Sequence, residues 1–402
     1  AMAISTNLAI VGSILALAVG YLIGTSPAGV TPPVAVTKGL VPPWPIFRAV
    51  VGAGDMLAGL ATATKVPEVA MIDVSMSYMT ASTAYTFAKL DLADYMADKE
   101  VDCTSLAKAA GNLNEDMLCR FLSTAEAVGL VKQTAGKWGT TPLGQILETN
   151  HPLSKKAFVI MINESHRWAW DKLPEVIKTG KSGVSLITGG DEVWKWFAEK
   201  VPDQHEVFDA AMKDLTEGIA MAVLQDVDFS QTKCVCDIGG GIGALAAAVL
   251  QHYPAAKGKV LDLGETIGRD MQRLGLQERS ESITASFFEP LPPSINECDT
   301  YIMKHILHDW SDEDGVKILR NVAATMADGD RIIVVEFVRG TAGAGMEYSK
   351  ALMDMTMMAV CPPGAKERTI TEYEKLFNAS GLRLEQHAPL RSLAHALVVQ
   401  KA

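Results

Sequence analysis

Charge is missing from the front of this 402-residue chain: no acidic or basic residue precedes Lys38. With no Lys or Arg ahead of the apolar run at residues 8–24, an Arg-rich transit peptide is excluded and a cleaved secretory signal is disfavoured. Residues 4–23 just reach the roughly 20 apolar positions that a membrane span requires. They read either as a membrane tether or targeting signal, or as a helix buried against protein. Cysteine is scarce as well, with six residues at irregular spacing. That excludes a disulfide-stapled scaffold and points to reduced thiols in a cytoplasmic or organellar, reducing compartment. Nor is there an excess of positive charge: 36 Lys and Arg stand against 47 Asp and Glu, a net charge of −11. Such a surface repels a phosphate backbone, so nucleic acid is not an expected partner. Apolar residues, in contrast, make up 48% of the chain, which excludes disorder and suffices for two cores.

Residues 25–54 concentrate Pro and Gly, including Pro32-Pro33, Pro42-Pro43, Gly52 and Gly54, and read as an irregular linker. Residues 1–60 are thus a hydrophobic segment plus linker. Over residues 61–160 apolar side chains recur at helical spacing, as in Met117, Leu118, Phe121, Leu122 and Ala125. Two extended runs follow, 129–133 and 137–141 around Gly136, a small hairpin that closes a winged-helix-like domain. A winged helix invites comparison with DNA readers, but between residues 91 and 150 nine carboxylates face five cations. The apolar helix faces are therefore assigned to dimerisation with a second copy.

From residue 231 the pattern becomes strands alternating with helices, at 233–238, 258–263, 282–287, 300–304, 330–338, 383–388 and 394–400. This indicates an α/β, Rossmann-like, doubly wound seven-stranded sheet as the core of a domain over residues 161–402. The last two strands are too close to enclose a crossover helix and form an antiparallel hairpin. The first strand runs through Asp237 into Gly239-Gly240-Gly241-Ile242-Gly243-Ala244, where Gly239, Gly241 and Ala244 fit the G-x-G-x-x-G/A nucleotide fingerprint. Asp262 ends the next strand, where a carboxylate accepts from ribose hydroxyls. The fingerprint alone admits a dinucleotide or S-adenosylmethionine. A terminal hairpin leaves no second mononucleotide half, and Asp237 would repel a pyrophosphate yet attract the ammonium of a methionine moiety. S-adenosylmethionine, leaving as S-adenosylhomocysteine, is the expected cofactor.

From Asp237 onward the chain resembles the plant phenolic and hydroxyindole O-methyltransferases, a class I methyltransferase family. The resemblance is carried by DIGGGIGALAAAVLQHYP from Asp237, KHILHDWSDED from Lys304, VVEFV from Val334 and GAKERTITEYEKLFNASGL from Gly364. The preceding helical stretch resembles that family's dimerisation domain. A hydroxyl acceptor must lose a proton before it attacks a sulfonium methyl, and His308, just past the fourth strand at the carboxyl edge of the sheet, is the candidate base. Glu336 and Glu367 are candidates to orient it, a role the resemblance also implies. It further implies that Lys304 contacts the cofactor near adenine and that Asp309 lies near the cofactor; Asp309 alternatively caps a helix. Two departures stand out. Where the family has Gly-Asp before an aromatic pair, this chain has Ala285-Ser286 before Phe287-Phe288, so Ser286 and Phe287 must hold adenine without a charge. Gly264 replaces the proline that follows the ribose acid.

The acceptor pocket is expected to draw on Trp168, Trp170, Phe208, Met212, Met353 and Met357, the two methionines sharing one helix face. His305 and His308 lack a third ligand at a recognisable spacing, so no metal is expected. The reading is an S-adenosylmethionine-dependent transfer of methyl to a hydroxyl of a small molecule by a homodimer. Transfer to sulfur or nitrogen, and a winged-helix regulator with a degenerate methyltransferase fold, are the alternatives.

Overall fold

The structure, a computed structural model, describes residues 43–264, 266–341 and 347–402. The apolar run at 4–23 and its tether lie outside the described residues, within which no helix is long and apolar enough to cross a membrane. The expected linker turns helical at its end, as Trp44–Ala63 (α1). Pro45 explains why: in the first turn of a helix its missing N–H has no partner to lose, so it starts the helix instead of breaking it.

The chain divides into two compact units, one of residues 65–217, the other holding everything from Gly218 onward together with α1. The division between the two units falls inside helix Pro202–Asp226. In the first unit Pro67–Lys89 (α2), Cys103–Ala109 (α3) and Glu115–Val128 (α4) are helical. Asp102 caps α3 by accepting from Ser105 N at 2.8 Å, and Asn114 caps α4 from Met117 N at 3.0 Å. Gly129, at φ +90°, ends α4 as only glycine does cheaply. Strands Val131–Thr134 (β1) and Lys137–Thr140 (β2) then pair antiparallel, as the expected hairpin. Phe87, Leu92, Met96, Leu106, Leu118, Leu122, Leu130 and Trp138 form the core. Helix α2 is apolar well beyond this core: Met71, Ile72, Val74, Met76 and Met79 are 47–67% exposed.

The second unit is built on seven strands: Cys234–Ile238 (β3), Lys257–Asp262 (β4), Ser280–Thr284 (β5), Thr300–Lys304 (β6), Arg331–Glu336 (β7), Leu382–Pro389 (β10) and His395–Lys401 (β11), the short Val338–Arg339 (β8) and Arg368–Thr369 (β9) pairing apart. Their order is β10-β11-β7-β6-β3-β4-β5, with β11 antiparallel to both neighbours and β3 to β7 parallel. Alternate residues serve opposite faces. Val235, Ile302, Ile333 and Val335 enter one core with Ala244–His252, and Cys236, Ile238, Tyr301, Met303, Ile332 and Val334 enter another with Asp312–Thr325 and Ile370–Ala379. Both faces are covered, so the strands read as continuous apolar runs. The order reverses between β3 and β6, opening the crevice at their carboxyl ends where doubly wound sheets bind ligands.

Four of the six cysteines lie in close pairs. Cys103 of α3 lies beside Cys119 of α4, and Cys234 at the start of β3 beside Cys298 just before β6, with Cα–Cα separations of 5.7 and 4.5 Å. Cys236 and Cys361 are buried apart from these pairs. The fold brings together partners 16 and 64 residues apart, which spacing alone does not reveal.

Candidate active site

The glycine turn follows β3 directly. Gly239 and Gly241 adopt φ of +70° and +53°, left-handed conformations that favour glycine. A Cβ on Gly239 would come within 2.5 Å of Ile306 Cδ1 and 3.3 Å of Phe287 Cε1, whereas one on Gly241 would meet nothing within 4 Å. The turn is thus packed on one side and open on the other. Asp262, at the end of β4, accepts from Gly241 N at 2.8 Å and from Leu263 N at 2.7 Å, which fixes its carboxylate beside the open backbone. Asp237 is buried and accepts from Ala246 N at 3.3 Å. Burial pushes its carboxyl up to about 6, against the pull of Lys304 and the Ala246 N–H, and Asp262 adds to the rise. Lys304 is lowered by burial, with Asp237, Glu336 and Asp309 opposing. Ser286 accepts from Phe288 N at 3.2 Å, and the Phe287 ring stands edge-on to Trp310 at 6.0 Å. Asp237, Gly239, Gly241, Asp262, Lys304 and Phe287 therefore surround one turn. An open glycine cradle with a ribose-type acid and a buried carboxylate fits an adenosyl cofactor bearing an ammonium.

His308 lies in a single 3-10 turn, Leu307–Asp309, beyond β6. Its Nδ1 is 2.8 Å from Glu367 Oε1 and 3.5 Å from Glu336 Oε2, and its Nε2 is 3.5 Å from Asp309 Oδ1. Glu336 and Glu367 are fully buried, and each has an Oε2 with no hydrogen-bond partner. Burial opposes protonation of His308, but Glu336, Glu367 and Asp309 outweigh it and raise the imidazole to about 10. Burial also raises Glu336 to about 7, with His308 pulling the other way. The Oε1 of Glu336 accepts from Ile306 N at 3.0 Å and Leu307 N at 2.8 Å, so the residue ending β7 also ties down the turn. Asp309 does not cap the next helix; Ser311 does, accepting from Asp314 N at 3.1 Å. Asp309 instead accepts the Cys361 thiol at 3.2 Å, and burial raises its carboxyl.

Of the expected acceptor residues, Met357 is buried with its sulfur 3.9 Å from Cys361 Sγ, while Met353 packs on the sheet core. Both belong to helix Glu347–Val360. Trp168, Trp170, Phe208 and Met212 belong to the 65–217 unit, where Trp168, Trp196, Phe197 and Phe208 form a chain of rings 5.3–5.9 Å apart. Three neighbours of the site went unread in the sequence. Cys361 holds Asp309, Asp354 Oδ1 accepts from Glu367 N at 2.9 Å, and Arg368 lies fully buried beneath the His308 turn. Arg368 stands inside the same KERT run as Glu367, a signal that was available.

Comparison with known proteins matches the same region. The O-methyltransferase domain family matches residues 170–383. The phenazine O-methyltransferase of Lysobacter antibioticus is 31% identical over 80% of this chain and 93% of its own length. The O-demethylpuromycin O-methyltransferase of Streptomyces alboniger is 33% identical over 73% of this chain and 78% of its own. Among solved structures, an O-methyltransferase from neocarzinostatin biosynthesis, in complex with S-adenosylmethionine and 2-hydroxy-5-methyl naphthoic acid, is 29% identical with a TM-score of 0.64, covering 80% of this chain and 96% of that one. A cofactor cradle, a seven-stranded sheet and these matches lead to one assignment: the chain belongs to the O-methyltransferase domain family of class I, S-adenosylmethionine-dependent methyltransferases.

Proposed function

We propose that the chain methylates a hydroxyl of a flat aromatic small molecule, with His308 as general base oriented by Glu367 and Glu336. The observation that carries this reading is the 2.8 Å contact of His308 Nδ1 with a fully buried carboxylate, in a cluster placed at the carboxyl ends of β6 and β7. With Nδ1 donating to Glu367, Nε2 is the nitrogen left for the acceptor's proton. Glu336 stabilises the imidazolium that results and holds the turn through its two main-chain bonds. Bound S-adenosylmethionine supplies a methyl carbon made electrophilic by its sulfonium. Asp237 would receive its ammonium and Asp262 its ribose, with Lys304, Asp309, Ser286 and Phe287 around the rest. The protein's share of the acceleration is then position and deprotonation.

A flat acceptor is favoured by the relatives' own substrates, a phenazine in one case and a naphthoate in another at 30% identity. Met353 and Met357 offer adaptable thioethers on the sheet unit, and Trp168, Trp170, Phe208 and Met212 remain the helical unit's candidates for acceptor contact. The exposed apolar face of α2 is proposed to be buried against a second copy, since Val69, Ile72, Met76 and Met79 share one helix face and are left 47–56% exposed, more than a lone soluble helix leaves to water. The test of the activity is incubation with methyl-labelled S-adenosylmethionine and a mixed panel of phenols, hydroxyindoles, amines and thioethers. The proposal expects label in aryl methyl ethers; label confined to N- or S-methyl products would overturn it.

A further inference from the structure

Residues 366–368 grip the His308 turn at consecutive points. Lys366 N–H donates to the His308 carbonyl at 2.9 Å, and Glu367 receives Nδ1. Arg368 spreads its guanidinium below: Nη1 donates to the Leu307 carbonyl at 2.6 Å, Nη2 to the Trp310 carbonyl at 2.8 Å, and Nε to Asp312 Oδ1 at 2.9 Å. Its side chain is fully buried, whereas that of its carboxylate partner Asp312 is 57% exposed. A cation that needed only this ion pair could have stayed at the surface, where desolvation costs nothing. Burial instead places a planar fork between the carbonyl before His308 and the carbonyl two residues after it.

The turn needs such a hold. Its own bonds, Asp309 N to Ile306 O at 3.2 Å and Trp310 N to Leu307 O at 3.4 Å, are long. The chain enters it through His305, a non-glycine residue at φ +54° whose Nε2 is buried without a partner. Leu307 is pinned at both polar ends, its N–H by Glu336 and its carbonyl by Arg368.

We propose that Arg368 is a positioning residue for the base: it fixes the main chain on both sides of His308, so that Nδ1 meets Glu367 and Nε2 stays directed at the acceptor. This rests on the reading of His308 as base. Lysine at 368 keeps the charge but cannot span both carbonyls, so R368K is the main variant. D312A, which removes an exposed partner and leaves the guanidinium inside, serves if R368K does not fold. Fold is checked by circular dichroism and by S-adenosylhomocysteine binding.

The expected result is a fall in kcat of about 10- to 100-fold, a part of the roughly 10²–10⁴ that a base contributes, with acceptor KM little changed. The pH limb of kcat should also move toward lower pH, because the imidazole is no longer held against its carboxylates; D312A should move in the same direction by less. A kcat loss with an unmoved pH limb marks a merely structural residue and overturns the proposal, as does wild-type behaviour of whichever variant folds. H308A run alongside separates the two readings. If H308A keeps most activity, the base assignment falls and Arg368 with it; if H308A is inactive while R368K matches wild type, only the role of Arg368 falls.

Discussion

At the residue scale, the charge around His308 sets the pH behaviour. Three carboxylates hold the imidazole protonated up to about 10 in the free protein, and only the neutral form accepts a proton. Hence kcat/KM should climb with pH throughout the neutral and mildly alkaline range, which steady-state rates at fixed ionic strength will show. Removing one carboxylate weakens the hold on the proton, so Glu367→Gln should shift that limb to lower pH while lowering the plateau, since the orienting acceptor becomes an amide. Asp237 carries the opposite kind of strain. Its folded-state carboxyl is raised from 3.8 to about 6, so ionisation costs the fold nothing below the unfolded value and the full penalty above the folded one. Asp237→Asn should therefore melt higher than wild type at pH 8, by at most about 3 kcal/mol for a shift of this size. The gain should vanish below pH 4, and calorimetry should find S-adenosylhomocysteine affinity lost.

At the scale of elements, the glycine turn and α2 make separate predictions. Alanine at Gly239 must accept φ +70° and a Cβ 2.5 Å from Ile306 Cδ1, so Gly239→Ala should destabilise the fold by about 1–3 kcal/mol in a denaturant titration. Because Ile306 leads into the His308 turn, the same change should lower kcat. Ile72 and Met76 are four apart on the exposed side of α2. Replacing both with Glu should halve the sedimenting mass; an unchanged mass, or a wild-type monomer, contradicts the proposed dimer. The strands were the most legible elements, because both sheet faces are covered and each strand reads as an apolar run between turn residues. The terminal hairpin followed from its short connection alone. Helix α1 departs from the expected linker because Pro45, Gly52 and Gly54 signal a loop by composition, whereas proline in a first turn begins a helix.

At the scale of the molecule, the topology turns a linear motif list into a site. The order reversal between β3 and β6 places the glycine turn, Asp262 and the His308 turn at one sheet edge, so three separate stretches of sequence converge there. The cluster of His308, Glu336 and Glu367 was legible once motif and strand ends were combined, and the structure brings all three within hydrogen-bonding or ion-pair range. What sequence could not show depends on long-range contact: the approach of Cys234 to Cys298, the division of the units inside helix Pro202–Asp226, and Arg368 reaching the carbonyls of Leu307 and Trp310. The central claim is that a buried His–Glu pair deprotonates a hydroxyl acceptor for methyl transfer. The most direct measurement is the single-turnover rate of His308→Ala against wild type, with saturating S-adenosylmethionine and an aryl hydroxyl acceptor identified from the panel. The account predicts a loss of about 10²- to 10⁴-fold with S-adenosylhomocysteine affinity intact; a loss of only a few-fold would contradict it.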